Sequence, residues 1–169
     1  MIKTFTAIFL LASIFSYGQL EKIYNGQEYS VRYPQQWVLD TSRSIADAIY
    51  FTSPKDNPKD DFLENVNVLR QNITGRNIDL KSYKSITEKE ISGLGANGKL
   101  IKSVIEKTST RERYIVEYQV TMNPRILHVK SICYIKNNMV YLATFTAKED
   151  AFTSYAKTGN EILESFKVK

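Results

Sequence analysis

The stretch RYIVEYQVTMNPRILHVKSICYIKNNMVYLATFTA, from Arg113 to Ala147, alternates apolar and polar residues with period two through three successive runs. That is the pattern of strands which turn one face to a core. The runs Arg113 to Met122, Arg125 to Ile135 and Met139 to Ala147 are joined by short polar connections, so neighbours in sequence pair antiparallel. Asn123-Pro124 and Asn137-Asn138 are the tight turns, and Asn tolerates positive φ well enough to suit the second to a two-residue hairpin. In the first run, Tyr114, Val116, Tyr118, Val120 and Met122 predict a buried face, and Glu117, Gln119 and Thr121 a partly wet one. Upstream, Leu100 to Lys107 alternates in the same way and adds a strand to the meander.

On either side of the meander the period changes. Leu80, Tyr83, Ile86 or Thr87, Ile91 and Leu94 recur at helical spacing, with Asp79 or Ser82 to cap the start and Gly93 and Gly95 to mark the end. Phe152, Tyr155, Ala156, Gly159, Ile162, Leu163 and Phe166 form a second helical stripe within Ala151 to Phe166, one that must cover a sheet face. Earlier still, Tyr29 to Leu39 reads as two short strands broken at Pro34, Ala48 to Thr52 as another and Glu64 to Gln71 as a fourth. Between the last two lies the longest loop, Ser53 to Asp61, rich in Pro, Asn and Asp. The whole is an α+β chain with a curved antiparallel sheet and helices packed against it.

The chain has 169 residues, 43% of them hydrophobic and 24% charged, a composition that suits one ordinary globular domain. Met1 to Gly18 reads as a secretory signal: Lys3, then an apolar run of about 11 residues from Phe5 to Phe15, then small residues at Ser16 and Gly18. The run is too short to span a bilayer core, which takes roughly 20 residues. Cleavage before Gln19 leaves residues 19–169 as a single domain, periplasmic or secreted, with no transmembrane segment. The formal charge of +5 falls to +4 when Lys3 is lost, a mild bias toward acidic partners. The only cysteine, Cys133, lies far from the cleavage point, which excludes a lipoprotein anchor. It sits among Leu127, Val129, Ser131 and Ile135 and reads as a small buried hydrophobe.

Several chemistries are excluded. One His and one Cys make neither a four-ligand zinc site nor a disulfide framework. The seven Gly contain no GxGxxG or GxxxxGK[ST] loop, so nothing is built to cradle a nucleotide phosphate. No cofactor is expected.

Tyr29-Ser30-Val31-Arg32-Tyr33-Pro34-Gln35-Gln36-Trp37, then Phe51-Thr52-Ser53-Pro54, then Asp61-Phe62-Leu63-Glu64-Asn65-Val66-Asn67-Val68, together resemble the PsbP-like family. The end of the chain, Asn138 to Ala147 and Ile162 to Lys167, is similar to that family's last strand and terminal helix. Glu64-Asn65-Val66-Asn67-Val68 is the most specific piece. The resemblance implies a Mog1p/PsbP-like α/β/α sandwich and no enzyme. It implies a fold shared by extrinsic photosystem II subunits, which dock on a membrane complex and help it retain calcium and chloride, and by small exported bacterial proteins. Only Gln19 to Gln27 precedes the first expected strand, so the flexible N-terminal extension of the photosynthetic members is almost lacking here.

Four sets of residues carry candidate chemistry. Asp56, Asp60, Asp61 and Glu64 supply hard oxygen ligands for calcium without EF-hand spacing, and a solvated loop balanced by Lys55 and Lys59 explains them equally. His128 shares a strand face with Lys130 and Tyr134 and is a base only if a nucleophile lies opposite, whereas a half-buried strand histidine needs none. Lys99, Lys102, Arg111 and Arg113 cluster around one hairpin as a partner-binding patch, although Glu106, Glu112 and Glu117 are interleaved and an exported chain does not meet nucleic acid. The eleven Tyr fit a core as readily as an interface. The expectation is a non-enzymatic binding or assembly module docking on an envelope or secreted protein. The alternatives are a ligand-binding or hydrolytic protein with a pocket between sheet and helices, or calcium-dependent stabilisation through the acidic loop.

Overall fold

In the computed structural model the structure describes residues 20–42 and 48–169; the expected signal segment and its expected cleavage point lie outside these. Seven strands form one antiparallel sheet, in the order β3 (Val38–Asp40), β4 (Ile49–Thr52), β5 (Asn65–Asn72), β9 (Met139–Lys148), β8 (Arg125–Lys136), β7 (Glu112–Met122) and β6 (Gly98–Lys107). The meander read from the sequence occupies one half, in consecutive order. Its last strand then returns to pair with β5, with Asn65 opposite Thr146 and Asn72 opposite Met139. Asn137 and Asn138 both take positive φ, 53° and 59°, and place Lys136 opposite Met139 as a two-residue turn requires.

A second sheet was not foreseen. β1 (Lys22–Asn25), β2 (Tyr29–Tyr33) and β10 (Lys167–Val168) pair antiparallel in the order β1-β2-β10. The first strand therefore begins inside the segment expected to precede it. Four residues at the beginning and two at the end carry too little periodicity to register as strands. They form because β2 offers an edge on each side.

The two helices meet different faces of the large sheet. Helix α1 (Leu80–Gly93) lies against β6, β7 and β8, where Tyr114, Val116, Cys133 and Val140 form a buried cluster with Ile73 and Ile91. Asp79 caps it as expected: its side chain accepts from the Ser82 N–H at 2.7 Å, and its own N–H donates to Ser82 Oγ at 2.9 Å. Helix α2 (Glu149–Ser165) lies against β9, β8, β5 and β2, and seats Ile162 and Leu163 in the larger core with Phe51, Val66, Ile115, Ile132 and Phe145. Alternation decides the partition, because neighbours such as Tyr114 and Ile115 point to opposite clusters. On β7, Glu117 and Gln119 are half-buried and Thr121 exposed, as a partly wet face requires, although Ile115 on that face is 3% exposed; Met122, on the face expected to be buried, is 60% exposed and departs from the expectation. The sheet is covered on both sides near its middle and runs out into solvent at the Met122 end.

Candidate functional site

Where β9 runs into α2, charged side chains from four elements gather. Lys148 ends the strand, Glu149 and Asp150 open the helix, the Asp56–Glu64 loop lies on one side and the β7–β8 turn on the other. Two clefts meet here. One, of about 460 Å³, is walled by Pro124 and Ile126 and rimmed by Asp61, Arg125, Lys148, Glu149 and Asp150. The other, of about 470 Å³, is lined by Asp56, Asp60, Glu64, Lys148 and Tyr155 among others.

Of the four acidic candidates, Asp56, Asp60 and Glu64 converge, each offering a carboxylate oxygen within 4.8 Å of the others'. Asp61 turns away and accepts from Arg125 at 2.6 Å, which holds its carboxyl below the ordinary range. Backbone N–H groups of Phe62 and Asp56 donate to Asp60 and lower it likewise. Glu64 goes the other way. Only 1% exposed, it is raised first by burial and further by the nearby Asp60 and Asp56 charges. The cations expected to balance the loop were Lys55 and Lys59. The structure instead brings Lys148 to 3.8 Å from Asp60 and 3.5 Å from Asp61. Tyr155 reaches in from α2 to donate to Asp56, and burial, followed by that hydrogen bond, pushes its hydroxyl up.

His128 is buried at 7% exposure, and both ring nitrogens are engaged. Nε2 lies 2.8 Å from Glu117 and Nδ1 2.9 Å from Glu149. The imidazole also stacks on Phe152, with centroids 3.4 Å apart and planes 7° from parallel. His128 is thus a clamp between β7, β8 and α2. Glu117 was overlooked as its partner, yet the hairpin register sets Gln119 opposite His128 and so puts Glu117 diagonally across from it. Glu149 is brought in only by the course of α2.

The basic candidates separate. Arg113 is 5% exposed and forms a bridge beneath α2, donating to Glu106 at 2.9 and 3.0 Å and to Glu164 at 2.8 and 2.9 Å. It is a buried structural cation rather than part of a docking patch. Arg111 leans toward Glu164 at 3.6 Å. Lys99 and Lys102 stand exposed on β6 at the sheet edge. Cys133 is fully buried, and burial raises its thiol to about 12, as the small-hydrophobe reading requires. Tyr29, Tyr33, Tyr114 and Tyr141 are core residues. Among the described residues, no helix is long and apolar enough to cross a membrane.

The fold and the sequence agree on a class. The PsbP family model matches residues 21–168, and the chain belongs to that family. Among solved structures it is similar to cyanobacterial PsbP (CyanoP) from Synechocystis sp. PCC 6803, with TM-score 0.64 and 16% identity over 94% of this chain and 99% of that one. LpqN, involved in cell envelope biogenesis of Mycobacterium tuberculosis, gives TM-score 0.66 and 14% identity over 83% of each chain. A protein of unknown function from Pseudomonas aeruginosa, described as a putative regulator, gives 0.62 and 14% over 88% of this chain and 96% of that one. At these identities the likeness is one of fold. No curated protein matches.

Proposed function

We propose that this chain is a non-enzymatic α/β/α sandwich of the exported envelope, a module that docks on another envelope or secreted protein through the cleft beside the β7–β8 turn. The observation that carries the reading is an apolar surface set against a charged rim. Ile126 is 48% exposed beside Pro124, in a cleft rimmed by Arg125, Asp61, Lys148 and Glu149. Apolar anchors inside a polar rim are how protein-binding surfaces are built. The envelope role of LpqN, a neighbour in fold, supports the location. The engagement of His128 by two carboxylates supports the non-enzymatic reading, since both ring nitrogens are already committed. This surface replaces the basic hairpin, because Arg113 is buried and Arg111 is turned toward Glu164.

The test is site-specific photo-cross-linking in the native organism, with the reactive residue at position 150 on the cleft rim. One discrete cross-linked product in the envelope or secreted fraction, lost in Ile126→Glu and kept in a Lys99→Glu/Lys102→Glu variant, is the expected result. No product at position 150, or loss only in the lysine variant, overturns the proposed surface.

A further inference from the structure

The Asp56–Glu64 loop holds an oxygen atom that its protein surroundings leave unused. Glu64 begins the strand-leading segment Glu64-Asn65-Val66-Asn67-Val68 and is anchored by its main chain, whose carbonyl accepts from Ser53 N–H at 2.8 Å. Its side chain is 1% exposed, and Oε1 is buried with no hydrogen-bond partner. A buried carboxylate oxygen without a donor is costly, so its persistence calls for a partner. Lys148, the cation that reaches the loop, is turned to other carboxylates. Lys148 Nζ stands 3.8 Å from Asp60, too far for a hydrogen bond, and comes closer to Asp61, which lies outside the triad.

The Glu64 side chain accepts from the backbone N–H of Lys148, and beside its unused oxygen stand two more carboxylates. We infer that Asp56, Asp60 and Glu64 form a binding site for a hard, calcium-sized divalent cation, with water from the adjoining cleft completing its shell. The donor set is all oxygen, which selects a hard ion over zinc or copper. Three carboxylates suit calcium, which takes about six to eight oxygens, better than magnesium, which usually takes one or two carboxylates and keeps several waters. The triad's oxygens fall within 4.8 Å of one another. Asp60 is held in place by N–H groups of Phe62 and Asp56 at 3.2 Å each, and Asp56 by the Tyr155 hydroxyl, so two ligands are oriented before any ion arrives.

Lys59, Lys148, Asp150 and Tyr155 also face this cleft, and Asp61, outside it, is committed to Arg125.

Calorimetric titration of the purified chain with calcium chloride, and separately with magnesium chloride, tests the inference without any partner present. Saturable one-to-one binding of calcium, at least tenfold tighter than magnesium, is expected, and calcium raises the melting temperature by mass action. Glu64→Gln and Asp60→Asn should each weaken calcium at least tenfold, while Asp61→Asn leaves it within threefold. Circular dichroism and a melting curve without calcium show whether each variant is folded. Glu64→Gln keeps the shape of the side chain and is expected to stay folded when calcium is absent. No saturable heat at millimolar calcium, or equal affinity in the parent and Glu64→Gln, overturns the site. Neither result depends on whether the Ile126 surface binds a protein.

Discussion

Replacing Gly159 by alanine sets helix propensity against packing, and the structure says which prevails. Gly159 is buried in the middle of α2, and a Cβ built there lies 2.6 to 2.7 Å from three ring atoms of Phe145. Carbon atoms in contact prefer about 3.5–4.0 Å, so the overlap is about 1 Å against a ring face rather than a flexible chain end. Phe145 is fully buried and lies 5.8 Å, centroid to centroid, from Phe152, so it has little room to retreat. Overpacking with three ring atoms overlapped at once falls in the upper part of the usual range, about 2–3 kcal/mol. Alanine returns about 1 kcal/mol of helix propensity, which leaves a net loss of about 1–2 kcal/mol. For a domain of this size that lowers the melting temperature by roughly 2–8 °C. Gly93 is the control: it ends α1 with nothing within 4 Å of its Cβ position, so Gly93→Ala should leave the protein as stable or raise the melting temperature slightly. Phe145→Leu makes room, and the Gly159→Ala/Phe145→Leu double variant should lose less than the two single losses added together. A melting temperature for Gly159→Ala at or above the parent's would refute the close seating of α2 on Phe145.

Arg113→Met keeps the packing of the stem but removes the charge that ties Glu106 to Glu164. Its partners stay 38% and 50% exposed and regain water, so the expected loss is about 1–3 kcal/mol by chemical unfolding, below that of a fully buried pair. Arg113 holds the Glu164 carboxyl below its ordinary value of 4.5, so the linked stabilisation is complete above that value and disappears as pH falls through the lower folded one. The Met variant should therefore show a shallower loss of stability below pH 4.5, and an unchanged acid limb would remove Arg113 as the cause. Cys133 should not react with a thiol reagent in the native protein at pH 8 and should react fully once unfolded; rapid native labelling would contradict its burial.

Local pattern alone determined much of this protein. Period-two alternation from Leu100 to Ala147 specified four strands, Asn137-Asn138 their tightest turn and Asp79 with Ser82 the start of α1, because each of these depends on residues within a few positions of one another. The family was legible for a related reason, since Glu64-Asn65-Val66-Asn67-Val68 is a contiguous string. Tertiary structure decided everything that depends on distant parts of the chain meeting. It joined β1 and β10 to β2, since strands that short form only when an edge is presented to them. It drew Arg113 under α2, where Glu164 stands 51 residues away, and so turned a surface cation in the sequence reading into a buried one. It set His128 between Glu117 and Glu149, and it chose Asp56, Asp60 and Glu64 from four acids while giving Asp61 to Arg125. Charge in a sequence has sign but no direction. Which carboxylate faces a cation, a histidine or another carboxylate is settled only when the folded backbone fixes where each side chain points.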